Sequence, residues 1–482
     1  MKSLPRVTRP AAPPLWRIGP PLLALLLSGC ASFSDDRGMD AVSDIAGVAL
    51  RKEIVAIRSD ADAEAARAAV ADLLKRPLNG NAAVQIALLN NRDLQAAYNE
   101  LGIAEAARVR ASIPANPRFS LSRVAGGGAF EFEAQIVANI LSLATLPARK
   151  EVAGDRFRQA QLRAVEATLR TAFDARRAYV QAVSARQLTA FLTQAQSSAE
   201  AAVTLSKRLG ESGAMNKLDQ ARNQVFYAET AARLGTARQR AASERERLIR
   251  ALGLWGSDLA FQLPASLPAL PAQARVGTAV EVEAVRRRVD LQIARLEVEA
   301  LAKSYGLTQA TRFINLLEVS GIEKRVREPS GDSATERGIG VEFEVPLFDF
   351  GQTRQREAEA SYMQAVNRLT AKAVSVRSQA RESYLLYRSS YDIARHYQRE
   401  VLPLRKIISD ETLLRYNAMQ IDVFSLLTES RERIASSIAA IEAQRDFWLA
   451  DGTLLAAMLG GGEITPGDSP SASAAPETAG HQ

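Results

Sequence analysis

The 482-residue chain predicts a mostly α protein with a small β part, built from a duplicated unit of helix, β-hairpin and long helical hairpin. Three observations carry this prediction. Short stretches recur in the same order roughly 200 residues apart, a period too long for a solenoid unit. Asp93-Leu94-Gln95-Ala96-Ala97 returns as Asp290-Leu291-Gln292-Ile293-Ala294. Phe130-Glu131-Phe132-Glu133-Ala134 returns as Val341-Glu342-Phe343-Glu344-Val345, and the stop at Leu252-Gly253 returns at Leu459-Gly460. Next, the run from Arg149 to Leu252 has no proline and is rich in Ala, Arg, Gln, Glu and Leu, all helix formers. Finally, short alternating segments precede each such run, which is the period of a strand with one apolar face.

The first 29 residues carry Lys2, Arg6, Arg9 and Arg17 and no acid, followed by an apolar run from Leu22 to Leu27. This is the pattern of a secretory signal peptide. It ends in Leu27-Ser28-Gly29-Cys30, which resembles a bacterial lipobox, and Cys30 is the only cysteine of the chain. The resemblance implies that Cys30 carries lipid and begins the mature protein. Ala31 and Ser32 follow it, with no aspartate to hold the product at the inner membrane, so the resemblance implies the outer membrane. The formal charge of +7 includes the four signal-peptide cations, which leaves only a small positive excess on the mature chain. A nucleic-acid footprint is therefore not indicated. No apolar run reaches the roughly 20 residues of a spanning helix, so a membrane crossing would have to be made of strands.

An N-terminal segment, 30–77, precedes the first repeat, 78–271. Leu78 to Ile113 reads as a helix with Val84, Ala87, Leu88, Leu94, Tyr98 and Leu101 on one face, ended by Pro114 and Pro117. Strands follow over about 119–137, with Gly126-Gly127-Gly128 as a hairpin turn. A helical hairpin over about 149–252 has its only break signal at Gly210-Glu211-Ser212-Gly213. Two arms of ~50–60 residues would each span roughly 75–90 Å. Pro264, Pro268 and Pro271 mark the linker.

The second repeat, 272–460, follows the same plan. Its helix covers about Val276 to Thr311 and its strands lie within 313–347, with Glu323 to Arg337 read as a charged loop between Phe313–Ile322 and Val341–Leu347. The hairpin over about 352–459 carries Val366, Leu369, Ala373, Val376, Ala380, Ser383 and Tyr387 at alternating threes and fours. Its other arm carries Leu427, Ile434, Ile441 and Trp448 at sevens, a coiled-coil spacing. Pro403 should kink the first arm. The tail, 461–482, has the composition of a disordered segment.

Little in the chain resembles bond chemistry. Its two histidines, His396 and His481, lie apart from any cluster with metal-ligand spacing, and no P-loop sequence follows Gly126-Gly127-Gly128. No enzyme, metal or cofactor is expected. Glu131, Glu133, Glu342 and Glu344 instead occupy the polar face of strands whose other face is apolar, which in a membrane barrel is the lumen. A soluble sheet with one solvated face would show the same alternation.

Four stretches resemble the TolC-like outer-membrane efflux proteins, and the resemblance spans about Leu78 to Gly460. They are Ala87 to Leu94, Arg286 to Leu291, Val345-Pro346-Leu347-Phe348-Asp349-Phe350-Gly351, and the hairpin tips at Gly213 to Asp219 and Tyr416 to Leu427. Arg92 stands where the family often has proline, Met419 where it usually has glycine, and Asn139 to Arg149 departs from the family's turn. The resemblance implies a homotrimer with a shared twelve-stranded barrel and a periplasmic α-helical conduit, a trimeric α/β barrel. Strand count alone agrees, since four strands cannot close a barrel that needs at least about eight. The implied function is a passive outer-membrane duct served by a periplasmic adaptor and an inner-membrane efflux pump. Gating is implied at the tips, by residues among Gly213, Lys217, Asp219, Arg415, Tyr416, Met419 and Asp422. A periplasmic coiled-coil scaffold or an adaptor lipoprotein is the alternative.

Overall fold

A computed structural model describes residues 33–277 and 279–461. Cys30, the signal peptide and nearly all of the tail lie outside the described residues. The chain enters through a short helical stretch at residues 40–50 and then α1 (Asp60–Leu74). The latter starts with a capping box, Ser59 and Asp62 each accepting from the other's backbone N–H.

The helix expected over 78–113 is two helices, α2 (Gly80–Asn90) and α3 (Arg92–Ser112). Asn91 is the break. Its ψ of 118° takes it out of the helix, and its side chain accepts from Leu94 N–H to cap α3. The same correction holds for the helix expected over 276–311. It is α6 (Val280–Arg287) and α7 (Val289–Ala310), parted at Arg288, also with ψ 118°. The apolar face of the first pair is buried as expected, at Val84, Ala87, Leu88, Leu94, Tyr98 and Leu101.

The hairpins are less even than equal arms of 50–60 residues. Helix α4 (Leu146–Glu211) has 66 residues, roughly 100 Å at 1.5 Å per residue. Its return, α5 (Lys217–Leu252), has only 36. In the second repeat α8 (Gln352–His396) and α9 (Leu402–Asn417) form the outgoing arm, and α10 (Val423–Leu459) returns. Pro403 does interrupt that arm, through a π-helical turn at Tyr397–Val401 that places the proline in the first turn of α9, where its missing N–H costs least. None of the described helices is long and apolar enough to cross a membrane.

The return arms end in matching contacts. Gly253 has φ 68°, and a Cβ on it would lie 2.8 Å from the Asn90 carbonyl oxygen. The Asn90 side-chain amide donates to the Gly253 carbonyl at 2.6 Å. Gly460, φ 92°, lies against Val289 and Asp290 at the corresponding break. Each Leu-Gly stop thus docks on the break in its own repeat's helix pair. At the second break Arg288 and Asp290 are both buried and paired at 2.8 Å, with Lys372 at 3.4 Å. Burial alone would raise the Asp290 carboxyl, but the Arg288 hydrogen bonds and the two cations hold it below its ordinary value.

The core follows the seam. Val376, Ala380, Ser383 and Tyr387 are buried, while Val366, Leu369 and Ala373 are only half-buried where the arm approaches the sheet. Phe447 is fully buried and makes ring contacts with Tyr387 and Tyr391 at 5.6 Å and Trp448 at 5.1 Å. The linker adds Leu263 and Leu267 to the core between α4 and α5.

Four strands form one antiparallel sheet in chain order: β1 (Arg118–Gly126), β2 (Ala129–Asn139), β3 (Leu316–Arg327) and β4 (Ser333–Glu344). Gly127 and Gly128 have φ 59° and 85°, the positive pair that a two-residue hairpin turn demands. The charged loop expected over 323–337 is mostly sheet. Only residues 328–332 turn, and Glu323 faces Arg337 and Lys324 faces Glu336 across the ladder. Opposite charges placed directly across a ladder stabilise it.

The turn after β4 is tighter than a strand running to Leu347. Phe350 and Gly351 have φ 47° and 72°, and Asp349 accepts from Gly351 N–H at 2.9 Å. In the first repeat a short helix, Ile140–Ala144, takes this place, with Asn139 accepting from Ser142 N–H at 2.7 Å. A Cβ on Gly351 would lie 2.2 Å from the Arg312 carbonyl oxygen. Gly351→Ala is therefore expected to cost about 2–3 kcal/mol through left-handed strain and collision with fixed backbone. It should lower the melting temperature and the yield of assembled protein; an unchanged melting curve would contradict this.

Candidate functional site

Strand register sorts the sheet into two faces, because successive side chains alternate and cross-strand partners share a face. Glu131, Glu133, Glu342 and Glu344 all fall on one face. That face also holds Glu318, Glu336, Arg118 and Lys324, which sequence reasoning missed. Glu131 pairs with Lys324 at 2.8 Å. Glu318 is 5% exposed, is bonded to Arg118 and accepts from the Asn139 amide at 3.3 Å. Glu344 accepts from Asn315 at 3.2 Å. The period-2 pattern of 318–326 and 334–344 could have located these residues, had strands been sought in a charged stretch.

The opposite face is apolar over most of its height and stands in the open. Phe119 and Leu121 are each 73% exposed, Ile339 83% and Phe343 64%. Such an area is too large and too continuous for a water-facing surface. Among the described residues both edge strands, β1 and β4, lack a partner on their outer side.

At the far end of the hairpins the two tips are built alike. Gly213 has φ 77° and Met419 φ 55°. Asn216 caps α5 by accepting from Asp219 N–H at 2.8 Å, and Asp422 caps α10 by accepting from Ser425 N–H at 2.8 Å and its hydroxyl at 2.6 Å. These Ser425 hydrogen bonds, side chain first, hold the Asp422 carboxyl below its ordinary value. Asp219 is tied within its own helix to Arg222 at 3.2 Å. Tyr416 and Arg415 give backbone carbonyls to Met419 and Gln420 N–H, closing the second turn. The tips lie at one end together: Arg222 sits 5.2 Å over the Phe424 ring, and Arg431 donates to the Arg222 carbonyl at 2.7 Å. Met419 is 94% exposed.

Residues 281–409 match the family model of outer membrane efflux proteins. Over this segment, about a quarter of its length, the chain is similar to the outer membrane efflux protein family. No curated protein matches the chain in sequence. Its fold is that of solved outer-membrane channels. The VceC outer membrane protein from Vibrio cholerae superposes with TM-score 0.65 at 15% identity, over 79% of this chain and 96% of that one. The Campylobacter jejuni CmeC outer membrane channel gives 0.64 at 15%, over 79% and 86%. The open state of the Neisseria gonorrhoeae MtrE outer membrane channel gives 0.63 at 15%, over 79% and 88%.

Proposed function

We propose that three copies of this chain close their four-stranded sheets into one twelve-stranded barrel, and that their helical hairpins form a periplasmic conduit leading to it. The protein is then the outer-membrane duct of a tripartite efflux system. It carries substrate passively from an inner-membrane pump, through a periplasmic adaptor, to the exterior. Its work is selection and gating, not bond chemistry. One observation carries the reading: a sheet with two open edges, one charged face and one bare apolar face. Such a sheet is unstable alone and complete only when its edges meet copies of themselves, with acids toward water and aromatics toward lipid.

The scaffold and adaptor readings account for the hairpins but leave the exposed Phe119, Leu121 and Phe343 without a role. Fractionation decides between these readings. A duct is recovered in the outer membrane as a heat-sensitive trimer that conducts ions in planar bilayers. A soluble monomer without conductance would overturn the proposal.

Cys30 belongs to the same proposal as the lipid anchor. Labelled fatty acid should enter the wild-type protein and not Cys30→Ser, while the trimer still forms, because the apolar band of the barrel anchors it independently. Absence of label in the wild type would remove lipidation from the reading.

A further inference from the structure

The apolar face of the sheet does not stay apolar to its end. Approaching the hairpin turns it carries Arg123, Arg325, Arg327 and Arg337, with a single acid, Glu323. Arg123 and Arg325 share a row, each opposite Phe132. Arg337 lies opposite Glu323 one row below, and Arg327 one row above. Glu323 organises the group. One of its oxygens accepts from Arg325 at 2.6 and 3.0 Å, and the other from Arg337 at 3.2 Å. Arg123 lies 5.6 Å from the Phe130 ring centroid. The Arg325 and Arg337 side chains remain 63% and 78% exposed despite these bonds.

Arginine facing lipid is strongly unfavourable at the bilayer midplane and nearly without cost at the interface. Four together must therefore sit at the interface. From the exposed Val345 to Arg337 the chain climbs roughly 20 Å, taking ~3.4 Å per residue and a tilt near 40°, close to the ~25 Å of a barrel's apolar band. The turns point away from the long helices, so on the duct reading this rim meets the outer leaflet. On this outward face four guanidinium groups stand against one carboxylate, and the two acids of the adjoining turn, Glu328 and Asp332, still leave the rim positive above an apolar wall. Guanidinium forks bind phosphate in bidentate fashion.

We propose that the outward arginine cluster of each sheet binds the headgroup phosphates of an outer-leaflet glycolipid, a phosphorylated and multiply acylated sugar whose chains lie on the apolar band below. Two phosphates on one headgroup suit four arginines spread over three rows better than the single phosphate of a glycerophospholipid. The proposal rests on the barrel reading.

The test uses the full-length trimer in phosphatidylcholine nanodiscs, titrated with bisphosphorylated lipid A. The expected result is saturable binding. Binding should fall at least tenfold in a variant combining Arg123→Gln, Glu323→Gln, Arg325→Gln, Arg327→Gln and Arg337→Gln, and should survive in part when the four arginines become lysine. Dephosphorylated lipid A should not bind. Equal binding by the glutamine variant would overturn the site, as would equal binding of phosphatidylglycerol or of inorganic phosphate alone. Should the glutamine variant not assemble, Arg327→Gln with Arg337→Gln makes the same comparison. A failed barrel reading gives no heat-sensitive trimer even in the wild type; a failed lipid site gives a stable trimer indifferent to the lipid.

Discussion

Replacing Glu131, Glu133, Glu342 and Glu344 together with glutamine is expected to abolish most of the cation preference of the reconstituted channel. The charged face of each sheet holds six acids and two bases, so each chain contributes four net negative charges and a trimer twelve. Rings of carboxylates favour cations in a pore. The quadruple variant leaves Glu318 and Glu336 against Arg118 and Lys324, a wall with no net charge. Its reversal potential under a salt gradient should move close to zero while the conductance of the open channel persists. The difference should be largest at low salt, because the screening length shrinks from ~10 Å at 0.1 M to ~3 Å at 1 M. Within-face pairs decide where the charge changes: Glu131 is already engaged by Lys324, so Glu131→Gln alone turns a neutral pair into an unpaired cation on this face and should lower the cation preference by its single charge. Reversal potentials measured in planar bilayers check both statements. Anion preference in the wild type, or an unchanged preference in the quadruple variant, would assign this face elsewhere than the lumen.

The legible parts of this fold were those written in backbone-special residues or in apolar period. The glycines at 127, 128, 213, 253 and 460 all adopt positive φ at a turn or stop, and all fall where the sequence placed an ending. The apolar faces of the early helix and the strands were equally plain. The breaks at Asn91 and Arg288 were not, because neither residue is a helix breaker and each is held extended by tertiary contacts: Asn91 donates to the Ala251 carbonyl and Arg288 to Asp290 and Gln379. The strand ends over 323–337 were hidden for a different reason. Their alternation is in the sign of charge, matched across the ladder, and a search for alternating hydropathy passes over it. The unequal hairpin arms escaped because α4 runs on past the end of α5 and packs there on α2 and α3 instead, with Leu162, Val165 and Leu169 against Leu88, Leu94 and Leu101, and with Thr168 bonded to Tyr98.

At the tips, Asp422→Asn combined with Arg415→Ala is expected to raise single-channel conductance and antibiotic leak with normal trimer yield. The choice of asparagine follows from the capping geometry. Asp422 holds Ser425 N–H at the start of α10, and Asn caps a helix about as well as Asp, so the substitution removes charge without unravelling the turn. Asp422→Ala would remove both, and opening seen only with alanine would trace the gate to the helix start. Arg415 and Lys217 have no side-chain partner within the chain among the described residues, which leaves them available to a neighbouring copy. Asp219 is less suited to a link between copies, being held by Asn216 and Arg222. In a closed trimer three Asp422 carboxylates near the axis would repel one another unless cations from adjacent tips intervene. A ring of exposed links of that kind weakens as salt screens it. Wild-type closure should therefore loosen as ionic strength rises, and the double variant, already without the links, should show a flatter dependence. Unchanged conductance in a correctly assembled double variant, together with a wild-type closure indifferent to salt, would count against polar cinching at these residues and leave the contact of Arg222 with Phe424 as the tie that sets the tips.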